Sequence, residues 1–258
     1  MGAHLSVALP GLANSNVPYR QLDEANILRT LERLKLRIEE RFPGSGLSKV
    51  ADELIVVGGE VSETVSYLRR PNYLIRIPVG IAIILMLALV VMIVLRVPWQ
   101  TQPSNLDQVN SLASNGINNI GFLGIAIFFL LTIETKLKRK RALKTIHELR
   151  SFAHVVDMHQ LTKDPERLGS DAPDTASSPE RTMTPAQLGR YLDYCSELLS
   201  VDSKLAALLV QDFTDEVLLG AVNEIETLTT GLSGKIWQKI RLIERSSILS
   251  PSSTQPPV

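Results

Sequence analysis

The chain has 258 residues, and its 27 Lys and Arg residues are balanced by 27 Asp and Glu residues, so the formal net charge is zero. A balanced charge gives no overall attraction for nucleic acid, and no nucleic-acid partner is expected. The mean hydropathy is +0.11 although only 5% of the residues are aromatic, which indicates a concentrated apolar segment rather than an unusually large core. The single cysteine, Cys195, cannot form an intramolecular disulfide, which suits a reducing compartment.

Residues 1–20 are expected to be a flexible N-terminus, and residues 21–70 carry the first helical pattern. Asp23 is a favoured residue type for a helix N-cap, and the sequence FPGSG later divides the pattern into two helices. Gly58 and Gly59 weaken the second helix by about 1 kcal/mol each relative to alanine, so that a kink is conceivable there. The apolar positions recur at steps of three and four: Ile27, Leu31, Leu34 and Ile38, then Leu47, Val50, Leu54, Val57, Val61, Val65 and Leu68. The pattern predicts a helical hairpin.

Two apolar segments follow. Residues 77–95 read IPVGIAIILMLALVVMIVL without a charge, and at about 1.5 Å rise per residue they are long enough to cross a hydrocarbon core of about 30 Å. Residues 117–133 read INNIGFLGIAIFFLLTI, which is shorter, so a re-entrant or interfacial segment is the alternative there. The sequence therefore predicts two transmembrane helices joined by an external loop over residues 96–115.

Basic residues flank the two predicted spans on one side. The loop over 96–115 holds one basic residue, Arg96, at its edge, whereas nine others precede the first span or follow the second: Arg69, Arg70, Arg76, Lys136, Lys138, Arg139, Lys140, Arg141 and Lys144. The positive-inside rule places both termini in the cytoplasm, at the plasma (inner) membrane if the protein is bacterial. The same cluster would face anionic lipid headgroups at the cytoplasmic surface.

Residues 134–161 are expected to continue the second span as one helix that ends before Pro165. Its apolar positions form a seam suited to packing against another helix: Ala142, Ile146, Leu149, Ala153 and Val156. Residues 163–183 are rich in Pro, Ser, Asp and Thr and predict a flexible linker.

The last part of the chain predicts helices over residues 184–245 and a disordered tail over residues 246–258. Thr184, Pro185 and Gln187 form a helix start signal. The sequence as a whole predicts an all-α membrane protein with two transmembrane helices and a cytoplasmic helical bundle or coiled-coil-like region.

Three of the four histidines lie between residues 146 and 167. On a helix, His147, His154 and Asp157 fall on one side, and His159 points about 140° away from His154. Only His154 with Asp157 has chelating spacing, and further ligands would have to come from another helix. We therefore expect no metal site, and interpret the histidines as a polar helix flank or, as the alternative, a pH-responsive interface.

No enzyme signature is present, since GxSxG, a phosphate-binding loop, a dinucleotide fingerprint and a CxxC pair are all missing. Cys195 lies at an apolar helical position and is interpreted as a buried, inert thiol. The expectation is a protein without catalytic residues and without a cofactor or metal.

Three functional hypotheses remain. The first is a membrane anchor or scaffold for helix-mediated self-association, as a homo-oligomer, or for recruitment of a protein partner. The second is a subunit of an oligomeric channel or transporter, although neither predicted span carries a charged residue and the external loop has only Asp107 as a carboxylate. The third is a metal- or pH-sensing membrane protein that uses the helix from His147 to His159.

Overall fold

The computed structural model describes residues 20–96, 106–163, 176 and 183–249, with the backbone alone described at 93, 94, 96, 106–120, 123 and 246–249. These residues form six α-helices and no strand, which confirms the all-α class for the described part of the chain. The helices are α1 (Glu24–Arg41), α2 (Gly46–Arg69), α3 (Tyr73–Arg96), α4 (Leu106–Leu161), α5 (Pro185–Gln211) and α6 (Glu216–Leu249). The flexible N-terminus, most of the linker and the end of the tail that the sequence predicts lie outside the described residues.

Helices α1 and α2 form the predicted hairpin. The Asp23 carboxylate caps α1 by accepting a hydrogen bond from the backbone N–H of Asn26 at 3.1 Å. The Ser45 hydroxyl caps α2 in the same way, accepting from the backbone N–H of Ser48 at 3.2 Å. Between them Gly44 has a φ of 65°, a left-handed conformation that glycine adopts without steric cost. The break is therefore a tight turn that lays α2 back along α1.

Helix α2 runs without interruption through Gly58 and Gly59, so the structure shows no break at the weakened middle. A Cβ atom on Gly58 would lie 2.8 Å from Leu28 Cδ2, and Leu31 and Leu205 also lie within 4 Å of it. Gly58 is thus the point where α2 approaches α1 and α5 closely. Nothing lies within 4 Å of a Cβ on Gly59.

Helix α4 is one helix of 56 residues that ends at Leu161, where the sequence predicts an end. It begins at Leu106, so the prediction of a loop over residues 96–115 is wrong from residue 106 onward. The physical reason is that no proline interrupts the chain between Pro103 and Pro165, and only proline strongly opposes a helix interior.

Helix α5 lies at the centre of the bundle and contacts α1, α2, α4 and α6. Its start carries the predicted capping box: the Thr184 hydroxyl accepts from the Gln187 N–H at 3.2 Å, and the Gln187 side chain accepts from the Thr184 N–H at 2.9 Å. Most apolar side chains of α5 are buried against these helices, and Leu192, Leu198 and Leu205 are fully buried. Helix α6 packs on α4 and α5 and continues to Leu249, so the first four residues of the predicted disordered tail are helical.

The apolar side chains of α3 face outward, in contrast to those of the bundle. Every α3 side chain that the structure describes is at least partly exposed, and Leu74, Ile84 and Leu95 are among the most exposed. Within Gly46–Met92 one helical stretch is apolar and long enough to cross a membrane, and its most apolar window has no buried residue. The described chain thus shows one candidate span. Residues 117–133 are helical, but the described side chains do not establish a second.

Candidate functional site

A groove of about 710 Å³ runs along the bundle surface between α2 and α4. Its apolar lining comes from Val50, Val57, Phe152 and Val155, and its polar lining from Gly46, Lys49, Glu53, Lys144, His147, Glu148, Ser151 and His159. Two basic side chains, Lys49 and Lys144, and two acidic ones, Glu53 and Glu148, line the groove together with the apolar residues. This chemistry suits the apolar side of another helix more than a small polar molecule.

The sequence analysis places His147 and His154 on one side of the helix, but the groove brings His147 together with His159 instead. His147 and His159 both line it, whereas His154 lies outside the lining. The groove face of α4 follows residues 144, 148, 151, 155 and 159, at steps of three and four. His154 falls beside this face and is exposed to solvent.

His159 packs against the first turn of α2. A Cβ atom on Gly46 would lie 2.5 Å from His159 Cε1 and 3.1 Å from Nδ1, so the imidazole occupies the space that a side chain at Gly46 would need. Burial lowers the pKa of the His159 imidazole, and the nearby Lys163 ammonium lowers it further. The neutral ring is favoured, and it acts here as a packing group between the two helices.

The structure does not bring His147, His154 and Asp157 together as a ligand set. His147 and His154 are exposed, and the Asp157 carboxylate accepts a hydrogen bond from the Gln160 side-chain amide. In the part of the chain that the structure describes, no three His, Cys, Asp or Glu side chains come together as a ligand set for a metal. That the protein holds no metal stays a prediction.

A polar cluster ties the α2–α3 junction to α4, and we call it the junction cluster: Leu68, Asn72, Arg76, Glu134 and Lys138. The Glu134 carboxylate accepts from Arg76 Nε at 2.6 Å, from the Asn72 N–H at 3.2 Å and from Lys138 Nζ at 3.1 Å. Lys138 Nζ also donates to the Leu68 carbonyl at 3.0 Å. Burial raises the pKa of the Glu134 carboxyl, but the hydrogen bonds from Arg76, Asn72 and Lys138 outweigh it and lower the pKa to about 2. Glu134 is therefore ionised at any physiological pH.

Most of the basic residues beside the apolar segments are already paired with acidic residues of the bundle. Six of the nine form ion pairs: Arg69 with Glu24 and Asp212, Arg76 and Lys138 with Glu134, Arg139 with Asp215, Arg141 with Glu63, and Lys144 with Glu148. Lys136 lies over the Phe129 ring at 4.7 Å. Arg70 and Lys140 are exposed and pair with no acidic residue in the described structure. The basic residues that the sequence analysis uses to predict membrane orientation therefore also hold helices of the bundle together.

Two ionisable side chains of α5, Cys195 and Asp202, are fully buried. The Cys195 thiol is fully buried, and burial raises its pKa to about 12, consistent with the inert thiol expected from its apolar position. Asp202 is also fully buried, and its carboxylate oxygens have no hydrogen-bond partner among the described residues. Burial raises the pKa of Asp202 well above its ordinary value, which favours its neutral form. Sequence reasoning missed Asp202, although it lies seven residues after Cys195 on the same buried face.

No protein-family model, no curated protein and no solved structure matches this chain. Its function is therefore argued from the geometry described above.

Proposed function

We propose that this chain is a two-span integral membrane protein that anchors a helical bundle at the cytoplasmic face of the bilayer and acts there as a scaffold. The observation that carries the proposal is an inversion of burial along two neighbouring helical runs. In α2 and in the last part of α4, one apolar face of the helix is buried in the bundle; in α3 and in residues 121–133 of α4, every described apolar side chain is at least partly exposed.

The change from buried to exposed apolar side chains occurs near residue 70 between α2 and α3, and between residues 131 and 142 along α4. Along α4, Phe122, Phe128 and Leu131 are exposed, whereas Ala142, Ile146 and Leu149 are fully or almost fully buried. Along the other run, α2 ends with the buried Leu68 and α3 begins with Tyr73 and Leu74 exposed. Exposed apolar helices of this kind are unfavourable in water and favourable in a lipid core.

The junction cluster lies where the inversion occurs, between Leu68 and Arg76 on one side and Glu134 and Lys138 on the other. It would hold the polar boundary of both spans at one depth. With the basic residues on this side, the positive-inside rule supports a cytoplasmic bundle and an external connection between the spans.

The scaffold role is supported by what the bundle leaves exposed. The helical seams are used within the chain, so association with a second copy or a protein partner must use surface residues. The groove between α2 and α4 supplies an apolar surface with charged edges, and Val155, Met158 and Leu161 on α4 are all exposed. We propose a binding role for this groove and no catalytic one.

A matched pair of variants tests the scaffold. Val155→Glu places a charge in the groove, and Leu219→Glu places the same charge at an exposed apolar position on α6, outside the groove. Native mass spectrometry of the detergent-solubilised chain, with cross-linking in membranes, should show an oligomer or a bound partner that Val155→Glu disrupts and Leu219→Glu leaves intact. A monomeric chain that captures no protein would count against the scaffold.

A further inference from the structure

A second concave site lies at the α2–α3 junction, on the outer side of the bundle. It encloses about 570 Å³, and its walls include Ser62, Ser66, Tyr67, Arg70, Leu74 and Arg141. Its lining therefore supplies two arginine side chains, while the Ser62 hydroxyl donates to Glu24 and the Tyr67 hydroxyl accepts from the Asn72 side-chain amide at 3.4 Å. We propose that this pocket binds the phosphate of an anionic phospholipid headgroup, an inference that rests on the membrane anchoring proposed above.

The two arginines supply the charge. Arg70 is exposed and pairs with no acidic residue in the described structure. Arg141 lies over the Tyr67 ring, with its guanidinium carbon 4.7 Å from the ring centroid. This contact orients the guanidinium without neutralising it. Arginine remains protonated at physiological pH and matches phosphate oxygens with paired N–H donors.

Glu63 is the one acidic residue in the lining, and it opposes anion binding. Its carboxylate lies 3.6 Å from the Arg141 guanidinium, and its side chain is 77% exposed. An ion pair that is this exposed is weak, because solvent screens the two charges. A phosphate that contacts both arginines can therefore displace Glu63 into solvent.

The position of the pocket favours a lipid as the source of the phosphate. Leu74, in its wall, is 89% exposed and lies three residues before the first predicted span, which corresponds to about 4.5 Å along a helix. The headgroup layer on each side of a bilayer is about 5–8 Å thick. Arg70 would then lie at the depth of the phosphates, and Leu74 beside the upper part of an acyl chain.

The test measures lipid retention by the full chain in detergent, where no charged bilayer surface contributes. Native mass spectrometry with added phosphatidylglycerol or phosphatidylcholine should show selective retention of phosphatidylglycerol. Arg70→Gln and Arg141→Gln should each weaken its affinity at least about tenfold, which corresponds to about 1.5 kcal/mol, the lower end for a hydrogen bond to a charged group. Glu63→Gln should strengthen binding, which general damage to the fold would not do.

Lys140→Gln is the matched control, because Lys140 is exposed and unpaired at the same boundary but does not line the pocket. It should retain the lipid as the unmodified chain does. Equal losses in the Lys140 and arginine variants would overturn the proposal, as would retention unchanged in the arginine variants.

A second arm separates a lipid headgroup from free phosphate. If inorganic phosphate raises the melting temperature in an arginine-dependent manner while phosphatidylglycerol is not retained, the occupant is a soluble phosphate and the lipid assignment is wrong. Alkaline extraction of membranes is run on every variant in parallel. A chain that stays membrane-integrated but shows no arginine-dependent lipid binding refutes this inference alone, whereas an extracted chain refutes the anchor.

Discussion

Arg76 Nε donates to Glu134 Oε2 at 2.6 Å, and this bond joins the first turns of α3 to the middle of α4 across 58 residues of sequence. The Glu134 carboxylate also forms an ion pair with Lys138, whose side chain is only 8% exposed. The carboxylate thus holds one exposed and one buried cation at the level where both helical runs change from exposed to buried apolar surfaces.

We predict that Glu134→Gln lowers the free energy of unfolding by about 2–3 kcal/mol, because the buried Lys138 ammonium loses its charged partner. Thermal unfolding of the detergent-solubilised chain measures the change. Glu63→Gln is the control: it removes an exposed carboxylate 3.6 Å from Arg141, and its effect should stay within about 1 kcal/mol. Equal effects from the two variants would refute a structural role for the junction cluster.

The pH dependence of the same carboxylate has a defined sign. Its pKa falls from 4.5 to about 2 in the folded chain, so its stabilisation is present above pH 4.5 and is lost as the pH falls toward 2. The stability difference between the unmodified chain and Glu134→Gln should therefore be constant near neutrality and shrink below pH 4.5. A difference that instead shrinks between pH 6 and 8 would contradict this assignment.

Asp202 should behave in the opposite way. Its pKa is raised by burial, so its neutral form is compatible with the fold and stability is lost as the pH rises from about 3.8 through the folded-state pKa. Asp202→Asn should remove this loss, because the amide does not ionise, and should stabilise the chain at pH 7 by about 1–3 kcal/mol. Urea unfolding across a pH series measures it. Asp52→Asn, at a side chain that is 56% exposed, should change little; a less stable Asp202→Asn chain with unchanged pH dependence would show that this account of Asp202 is wrong.

The contact between Gly46 and His159 predicts a non-additive pair. Gly46→Ala should destabilise the chain, because its Cβ would lie 2.5 Å from the imidazole. In a His159→Ala background the same substitution should cost little, so a double-mutant cycle should return a coupling of about 1 kcal/mol or more. Gly59→Ala, where a Cβ meets nothing within 4 Å, should instead stabilise α2 by about 0.5–1 kcal/mol. Additive effects of Gly46→Ala and His159→Ala would show that the ring does not fill this space.

The Cys195 thiol should resist maleimide in the folded chain, since it is fully buried and its pKa is about 12. Labelling followed by mass spectrometry should show modification only under conditions that unfold α5. Rapid modification of the native chain would mean that α5 opens locally, contrary to its central place in the bundle.

Local signals in the sequence were sufficient for much of the helical architecture. Thr184 with Gln187 and Asp23 before α1 define their helix starts through contacts only three residues apart, which is the range over which propensity and capping act. The steps of three and four also identify buried positions such as Leu31 and Leu149, because a helix buries a continuous face.

Those local signals do not predict contacts between residues that are distant in the sequence. The pairing of Arg76 with Glu134 and the presence of Arg70 and Arg141 in one pocket lining depend on how helices pack, and no periodicity within one helix specifies that. His147 was grouped with His154 on a single helix, but the neighbouring α2 determines which side of α4 lines the groove, and it selects His159. Asp202 shows the same limit, since its residue type alone does not indicate the burial that the packing of α5 imposes on it.

Single-cysteine accessibility tests the central claim, a two-span anchor with a cytoplasmic bundle, most directly. In a Cys195→Ser background, Ser104→Cys reports on the connection between the proposed spans, and Glu40→Cys reports on the exposed end of α1. We predict that a membrane-impermeant maleimide labels Ser104→Cys in intact cells and labels Glu40→Cys only after permeabilisation. Labelling of both positions from the same side of the membrane would contradict the account.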